Sequence, residues 1–406
     1  MISTLARRLG FGDAVVIGLG AMLGAGVFVV WGPAAAAAGT GGALMLALLI
    51  AAVVAACNAT GSARLAARYP ESGGTYVYGR EQLGAFTGFL AGWAFVIGKT
   101  ASCAAMALTI GYYLWPGYAR PVAVAAVVVL TLINIRGVTK TAAATRVLVA
   151  ITLLVLVTAV GVGLWGGGVA EAGAAGPAGP FEAAGLLFFA FAGYARIATL
   201  GEEVRDPERT IPRAVPVALG VVLAVYLAVA LVCLSVLGMP ALARSTAPLA
   251  DVVAAAGVPG LVPVVRIGAG IAVCGVLLSL LAGVGRTILA MARRSDLPSR
   301  LSAVHARYAT PWLAELAVAV VIIGVVLAAD VRGAIGFSSV AVLTYYAITN
   351  AAAWSLGGPK HLRAVAALGL IGCIVLAMTL PEPTVLAGAG MLALGVLAYA
   401  VARRKG

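Results

Sequence analysis

Long runs of apolar residues, separated by short polar stretches, recur along the whole chain. A helix needs about 20 apolar residues to cross a bilayer. The pattern therefore predicts an all-α polytopic membrane protein with about twelve spanning helices, and an even number places both termini on one side. The predicted segments are 13–37, 42–65, 84–114, 121–135, 145–165, 182–203, 214–238, 262–290, 312–329, 334–356, 362–380 and 384–402.

The first apolar segment contains a cluster of glycines at its centre, with four glycines in residues 18–26. Glycine weakens a helix and lets the backbone leave helical dihedral angles. Freed peptide groups are tolerated in a bilayer only inside protein or around a water-filled cavity. The cluster therefore indicates either a break at mid-depth, with N–H and C=O groups available to a ligand, or a glycine face for close helix packing.

The sixth segment has a comparable interruption, because Gly193 and Arg196 lie where a plain span would be apolar. An ionisable residue at that depth is a functional-site hypothesis by default. If segments 1–5 and 6–10 form two halves, both interrupted segments open their half, and an odd number of spans inverts the second copy. Corresponding interrupted segments in inverted halves are typical of the binding site of a secondary transporter.

Composition supports a membrane location. The 406 residues are 63% hydrophobic and only 10% charged, whereas soluble domains carry about 25% charged residues. The net charge of +13 does not indicate nucleic-acid binding, because the basic residues lie in short loops and form no stripe. Twenty-one of the 27 Lys and Arg residues fall on the side of the N-terminus and four on the other. This bias predicts a multi-pass protein of the cytoplasmic membrane with both termini in the cytoplasm.

Metal, cofactor and enzyme chemistry have little support. The five cysteines fall in apolar segments without a C-x-x-C pair, and the two histidines lie in polar loops away from acidic clusters. Neither a metal nor a cofactor is therefore expected. A membrane-embedded enzyme would need a metal cluster or a Ser/Lys dyad at one depth, and none is visible.

Several motifs, in order along the chain, resemble the amino acid–polyamine–organocation (APC) superfamily of permeases. The resemblance implies one transporter domain over 1–406, with a five-plus-five inverted repeat (1–165 and 182–357), broken helices 1 and 6, and peripheral helices 11 and 12 in 362–402. It also implies uptake or exchange of amino acids. The motifs are GAGVF (24–28), YPESGGTY (69–76), NIRGV (134–138), FFAFAG (188–193), EEVRDPERTIPR (202–213), and GR (285–286) followed by AMARRSDLP (290–298).

The two breaks together suit an α-amino acid. N–H groups at the start of a half-helix favour its carboxylate, and the family pattern assigns its ammonium to the carbonyls of Met22, Phe189 and Ala192. Phe191 and Tyr194 either close over the ligand or simply pack. The predicted substrate site comprises Met22, Leu23, Gly24, Ala25, Gly26, Phe189, Phe191, Ala192, Gly193 and Tyr194.

Lys99 lies midway along the third segment and is the candidate for proton coupling. Proton-coupled relatives in the family use a membrane-embedded lysine on helix 5, but segment 145–165 contains no lysine. Lys99 therefore either loads and releases a proton or is a structural lysine bonded to loosened carbonyls.

Further charged residues are candidates for gating. Arg196 meets either a substrate carboxylate or one of the acids Glu202 and Glu203 further along its own segment. Glu202 and Glu203 either pair with Arg286 as an inner gate or mark the cytoplasmic boundary.

Sodium coupling is the weaker option, because only Ser279 offers a well-placed hydroxyl on the eighth segment. Tyr345, Tyr346 and Asn350 give the tenth segment polar groups that could line the path, and Asn350 alternatively bonds between helices.

The sequence thus predicts a secondary active transporter that moves amino acids by alternating access, with a proton as the coupling ion or by exchange. Its expected partners are the substrate, the proton and the lipid bilayer. Two alternatives remain: a sensor or partner subunit that keeps the transport fold without flux, and a permease for a related amine.

Overall fold

The computed structural model describes residues 9–69, 73–137, 142–166, 174, 179–198 and 203–404. Within these residues the regular structure is helical, apart from one isolated β-bridge. The α-helices are α1 Phe11–Met22, α2 Ala25–Val29, α3 Trp31–Ala38, α4 Gly41–Arg68, α5 Thr75–Leu83, α6 Ala85–Leu114, α7 Ala119–Ile135, α8 Ala142–Gly166, α9 Pro180–Phe191, α10 Ala195–Ala198, α11 Pro207–Arg244, α12 Pro248–Ala255, α13 Val262–Arg293, α14 Trp312–Ala328, α15 Val331–Ser355, α16 Lys360–Met378 and α17 Glu382–Arg404.

The predicted polytopic all-α class is confirmed. In the described part of the chain, ten helices are long and apolar enough to cross a membrane, and α9 and α14 are shorter apolar helices. Every predicted segment contains a helix. The number of twelve spans, the inverted repeat and the domain limits remain predictions.

The first helix is broken at the glycine cluster. α1 ends at Met22, and Leu23 (φ −78°, ψ 41°) and Gly24 (φ −92°, ψ −144°) leave helical geometry before α2 begins at Ala25. Val30 keeps right-handed helical angles and its N–H bonds to the carbonyl of Gly26. α2 and α3 therefore continue as one half-helix beyond the break.

A second break follows α9. The helix ends at Phe191, a turn runs through Ala192, Gly193 and Tyr194, and α10 then begins. The end of predicted segment 182–203 lies partly outside the described residues, because these stop at 198 and resume at 203. Val204, beyond that gap, pairs with Leu9 immediately before α1.

The two broken helices touch through their backbones. A Cβ added to Gly26 would lie 2.5 Å from the Cα of Ala190, and one added to Gly193 would be closer still to the carbonyl oxygen of Ala21. Real Cβ atoms do not approach other atoms this closely. Glycine is therefore required at both contacts, so the packing interpretation holds for Gly26 alongside the break at Gly24.

Polar contacts join several helix ends at one end of the bundle, which we call the basal end. Asp13 at the start of α1 forms an ion pair with Arg146 of α8. Thr310, just before α14, donates a 2.8 Å hydrogen bond to the carbonyl of Ile135 at the end of α7. The basal end therefore carries the starts of α1, α8 and α14.

The short helix α5 at the basal end lies outside the segments that were predicted to be helical. Its Arg80 lies 2.8 Å from the carboxylate of Asp296 after α13, and Tyr76 donates a 2.6 Å bond to the same oxygen. Burial, together with this bond, raises the pKa of the Tyr76 hydroxyl, which therefore keeps the proton that it donates.

We expect Gly26→Ala to lower the melting temperature of the purified protein. The added methyl group would push α2 away from Ala190, and overpacking of this kind costs about 1–3 kcal/mol. Gly12→Ala in α1 is the matched control, because a Cβ there meets nothing within 4 Å. An unchanged melting temperature for Gly26→Ala would show that the two helices are not in backbone contact.

Candidate functional site

The carbonyl oxygen of Ala192, in the second break, is the centre of the site. The Lys99 ammonium donates to it from α6 at 3.3 Å, and the Tyr346 hydroxyl donates from α15 at 3.1 Å. A carbonyl oxygen has two lone pairs, so both are in use. The structure thus brings together Lys99, the predicted coupling candidate of the third segment, and Ala192 of the predicted substrate site.

Lys99 is deeply buried, with 9% of its surface exposed. None of the ion pairs within the described residues includes it. A buried ammonium without a counter-charge is costly and depends on its hydrogen-bond acceptor. The observed contact is the one required by the structural interpretation of Lys99, while its coupling role remains a prediction.

Tyr226 of α11 joins the two breaks. Its hydroxyl lies 2.7 Å from the carbonyl oxygen of Met22, at the end of α1, and 2.9 Å from that of Ala190 in α9. A tyrosine has one proton to donate, so the two oxygens share it. The Met22 carbonyl, which the family resemblance assigned to the substrate ammonium, therefore already has a donor in this conformation.

The aromatic residues of the second break are packed away from solvent. The ring of Phe191 meets that of Tyr226 edge-on at 5.0 Å, and Tyr194 stacks on Tyr346 at 4.9 Å. Phe189 is 8% exposed. In this conformation Phe191 and Tyr194 contribute packing, and their closing over a ligand stays a prediction.

The start of α2 lies in apolar surroundings. Leu23 and Ala25 are buried, and Gly24 lies against the side chain of Val276 in α13, where an added Cβ would be 3.0 Å from Cγ1. A helix start leaves N–H groups without partners inside the helix. An anion bound there would be shielded from water, which strengthens its interaction with those groups.

A separate charged group lies toward the basal end. Arg196 and Arg286 are both exposed, and the Arg196 charge interacts with those of Glu203 and Arg286. In the described residues Arg286 takes part in no ion pair. Glu202 lies outside the described residues, so its pairing stays a prediction, as does the gating role of the group.

The remaining polar candidates bond within the helix bundle. The hydroxyl of Ser279 donates to the Gly275 carbonyl of its own helix at 3.3 Å. The amide of Asn350 donates to Asn58 in α4 at 2.6 Å. Asn350 thus follows the interpretation of bonding between helices.

Sequence reasoning missed Tyr113 and Tyr226, whose hydroxyls bond to backbone carbonyls of the first broken helix. Their only signal is a tyrosine inside an apolar span, since a buried hydroxyl normally finds a partner. The sequence does not say which carbonyl each one reaches.

Comparison with known proteins agrees with this architecture. A family model described as amino acid permease matches residues 9–401. An uncharacterized transporter of Mycobacterium tuberculosis (strain H37Rv) is 59% identical over 412 residues, covering 98% of this chain and 92% of the relative.

More distant relatives have named substrates. The branched-chain amino acid permease of Bacillus subtilis (strain 168) is 25% identical, over 77% of this chain and 72% of its own. The methylthioribose transporter of the same organism is 27% identical, over 76% of this chain and 72% of its own. With a family match over nearly its whole length, the chain belongs to the amino acid permease family of the APC superfamily and is a multi-pass membrane transporter.

Proposed function

We propose that this transporter moves an α-amino acid across the cytoplasmic membrane by alternating access, in exchange for a proton carried by Lys99. The basal end then faces the cytoplasm, in keeping with the excess of Lys and Arg on that side of the predicted topology. The observation that carries the proposal is the double hydrogen bond to the Ala192 carbonyl from Lys99 and Tyr346.

The substrate ammonium and Lys99 would compete for one oxygen. The family pattern assigns the Ala192 carbonyl to the ammonium, yet both of its lone pairs are occupied. A second ammonium beside protonated Lys99 would also bring two like charges together in a low dielectric. Substrate binding therefore displaces Lys99 from its acceptor, and the displaced, buried ammonium gives up its proton.

Competition determines the direction of coupling. If substrate and proton exclude each other, each crosses the membrane without the other, which is exchange rather than symport. By linkage, a ligand that releases a proton binds more tightly as pH rises. Symport would give the opposite pH dependence, because the proton and the substrate would then bind together.

The substrate carboxylate would bind at the start of α2. Its N–H groups, and the positive end of the helix dipole, suit an anion. Because both anchoring contacts use backbone groups, recognition would depend on the carboxylate and ammonium that all α-amino acids share.

We expect α-amino acids, and not the amines that lack their carboxylate, to raise the melting temperature of the purified chain. A ligand present at 100 times its Kd stabilises the folded state by about 2.7 kcal/mol. Radiolabelled uptake into proteoliposomes then tests transport of each stabilising compound. Equal shifts of the melting temperature with the amines would contradict the proposed anion site. The absence of both a shift and transport would favour a sensor or partner subunit.

We expect the affinity for substrate to rise with pH, by up to about tenfold per pH unit while Lys99 titrates, and Lys99→Gln to remove this slope. Glutamine retains a hydrogen-bond donor but cannot carry a proton. Calorimetry in two buffers of different ionisation enthalpy measures the proton released on binding, which should be close to one for the wild-type chain and close to zero for the variant.

Lys360→Gln is the matched control, because Lys360 is exposed at the start of α16. Its pH slope should equal that of the wild-type chain. If Lys99→Gln kept the pH slope, Lys99 would have no role in coupling. If the affinity for substrate fell with rising pH, the mechanism would be symport and not exchange.

A further inference from the structure

The helix α14 contains a single ionisable residue, Glu315, and the site described above does not use it. Glu315 lies in the first turn of the helix, near the basal end, and only 3% of its surface is exposed. Its Oε2 atom is buried and has no hydrogen-bond partner in the described residues. An ionisable side chain inside a membrane protein with an unsatisfied oxygen indicates a functional group.

The carboxyl group lies against the backbone of α13 at Gly285. A Cβ added to Gly285 would be 2.9 Å from Cγ of Glu315 and 3.6 Å from its Oε1. A side chain at position 285 would therefore occupy the space that the carboxyl group needs. The glycine leaves a notch in α13 that accommodates an acid from the neighbouring helix.

The next residue, Arg286, supplies the charge that acts on this carboxyl group. Its guanidinium is exposed, while the carboxyl is buried. The two charges are thus close enough to interact, although they form no ion pair in this conformation.

The other elements packed against α14 are α6, α7, the rest of α13 and the turn Ser299–Ser302. The charged residue of α6, Lys99, lies mid-helix. Arg120 of α7 and Arg266 of α13 lie near the end of the bundle opposite the basal end. Arg136, Arg293 and Arg300 are exposed at the basal surface.

We propose that Glu315 is a proton-binding site at the basal end of the bundle, and that loss of its proton draws the guanidinium of Arg286 toward α14. An ionised carboxylate buried without a partner is strongly disfavoured. Glu315 therefore either holds a proton or pairs with Arg286, the cation that acts on it within the described residues.

The position of Arg286 links this proton to the broken helix. The charges of Arg286 and Arg196 repel each other, and that of Glu203 attracts Arg196. Moving Arg286 toward Glu315 weakens its repulsion of Arg196. The attraction between Glu203 and Arg196 then dominates. Protonation of Glu315 releases Arg286, restores the repulsion and favours separation at the basal end.

Glu315→Gln tests the proposal by infrared difference spectroscopy of the full-length chain in detergent, between acidic and alkaline buffer. The wild-type chain should show the carbonyl stretch of a buried protonated carboxyl that disappears on alkalinisation. Glu315→Gln should lack that band. Glu81→Gln, which changes an exposed acid on α5, should retain it. An identical band in Glu315→Gln would overturn the proposal.

Arg286→Gln provides a second variant that leaves the buried carboxyl group intact. Without its counter-charge the carboxyl should keep its proton to higher pH, so the band should persist further into alkaline buffer. An unchanged titration would overturn the role of Arg286, even if Glu315→Gln failed to fold. The band is independent of substrate, so the outcome for Glu315 stands whether or not Lys99 couples transport.

Discussion

The carbonyl oxygen of Ala192 must be satisfied without water, and the arrangement of the site depends on this. A break in a membrane helix exposes peptide groups, and each one left unsatisfied costs several kcal/mol. Here Lys99 and Tyr346 reach the oxygen from two other helices. The second break is thus stable only while α6 and α15 hold their positions around it, so a ligand that takes this oxygen also changes how those helices are joined.

Close contact between the broken helices imposes the second constraint. At Gly26 and Gly193 the backbones meet with no room for a Cβ, while Gly24 leaves helical geometry at the first break. The sequence left a broken helix and a glycine packing face as alternatives, and both describe part of the same segment. Composition cannot separate the two, because glycine lowers the cost of an irregular backbone and also permits close approach.

The features that could be predicted from the sequence are those that depend on local residue patterns. Apolar length predicted the helices, and glycine, accompanied in the second case by a charge inside an apolar run, predicted the two breaks. The roles of Tyr226 and Glu315 were not predicted, because they depend on which part of a neighbouring helix each side chain reaches. The helix α5 was not predicted for a different reason. Residues 75–83 are largely polar and follow a Pro- and Gly-rich stretch, and this pattern is typical of a loop.

Two buried ionisable groups, Lys99 and Glu315, lie at different depths. Lys99 is 14 residues from the basal start of α6, whereas Glu315 is three residues from that of α14. At 1.5 Å per residue, the difference in depth is roughly 16 Å along the helices. Charges so far apart interact weakly, so a change at one group would have little effect on the other. Protonation at mid-depth would then affect ligand binding, while protonation at the basal end would affect opening there. A transporter built in this way would respond to pH at two depths, once at the binding site and once at its basal end.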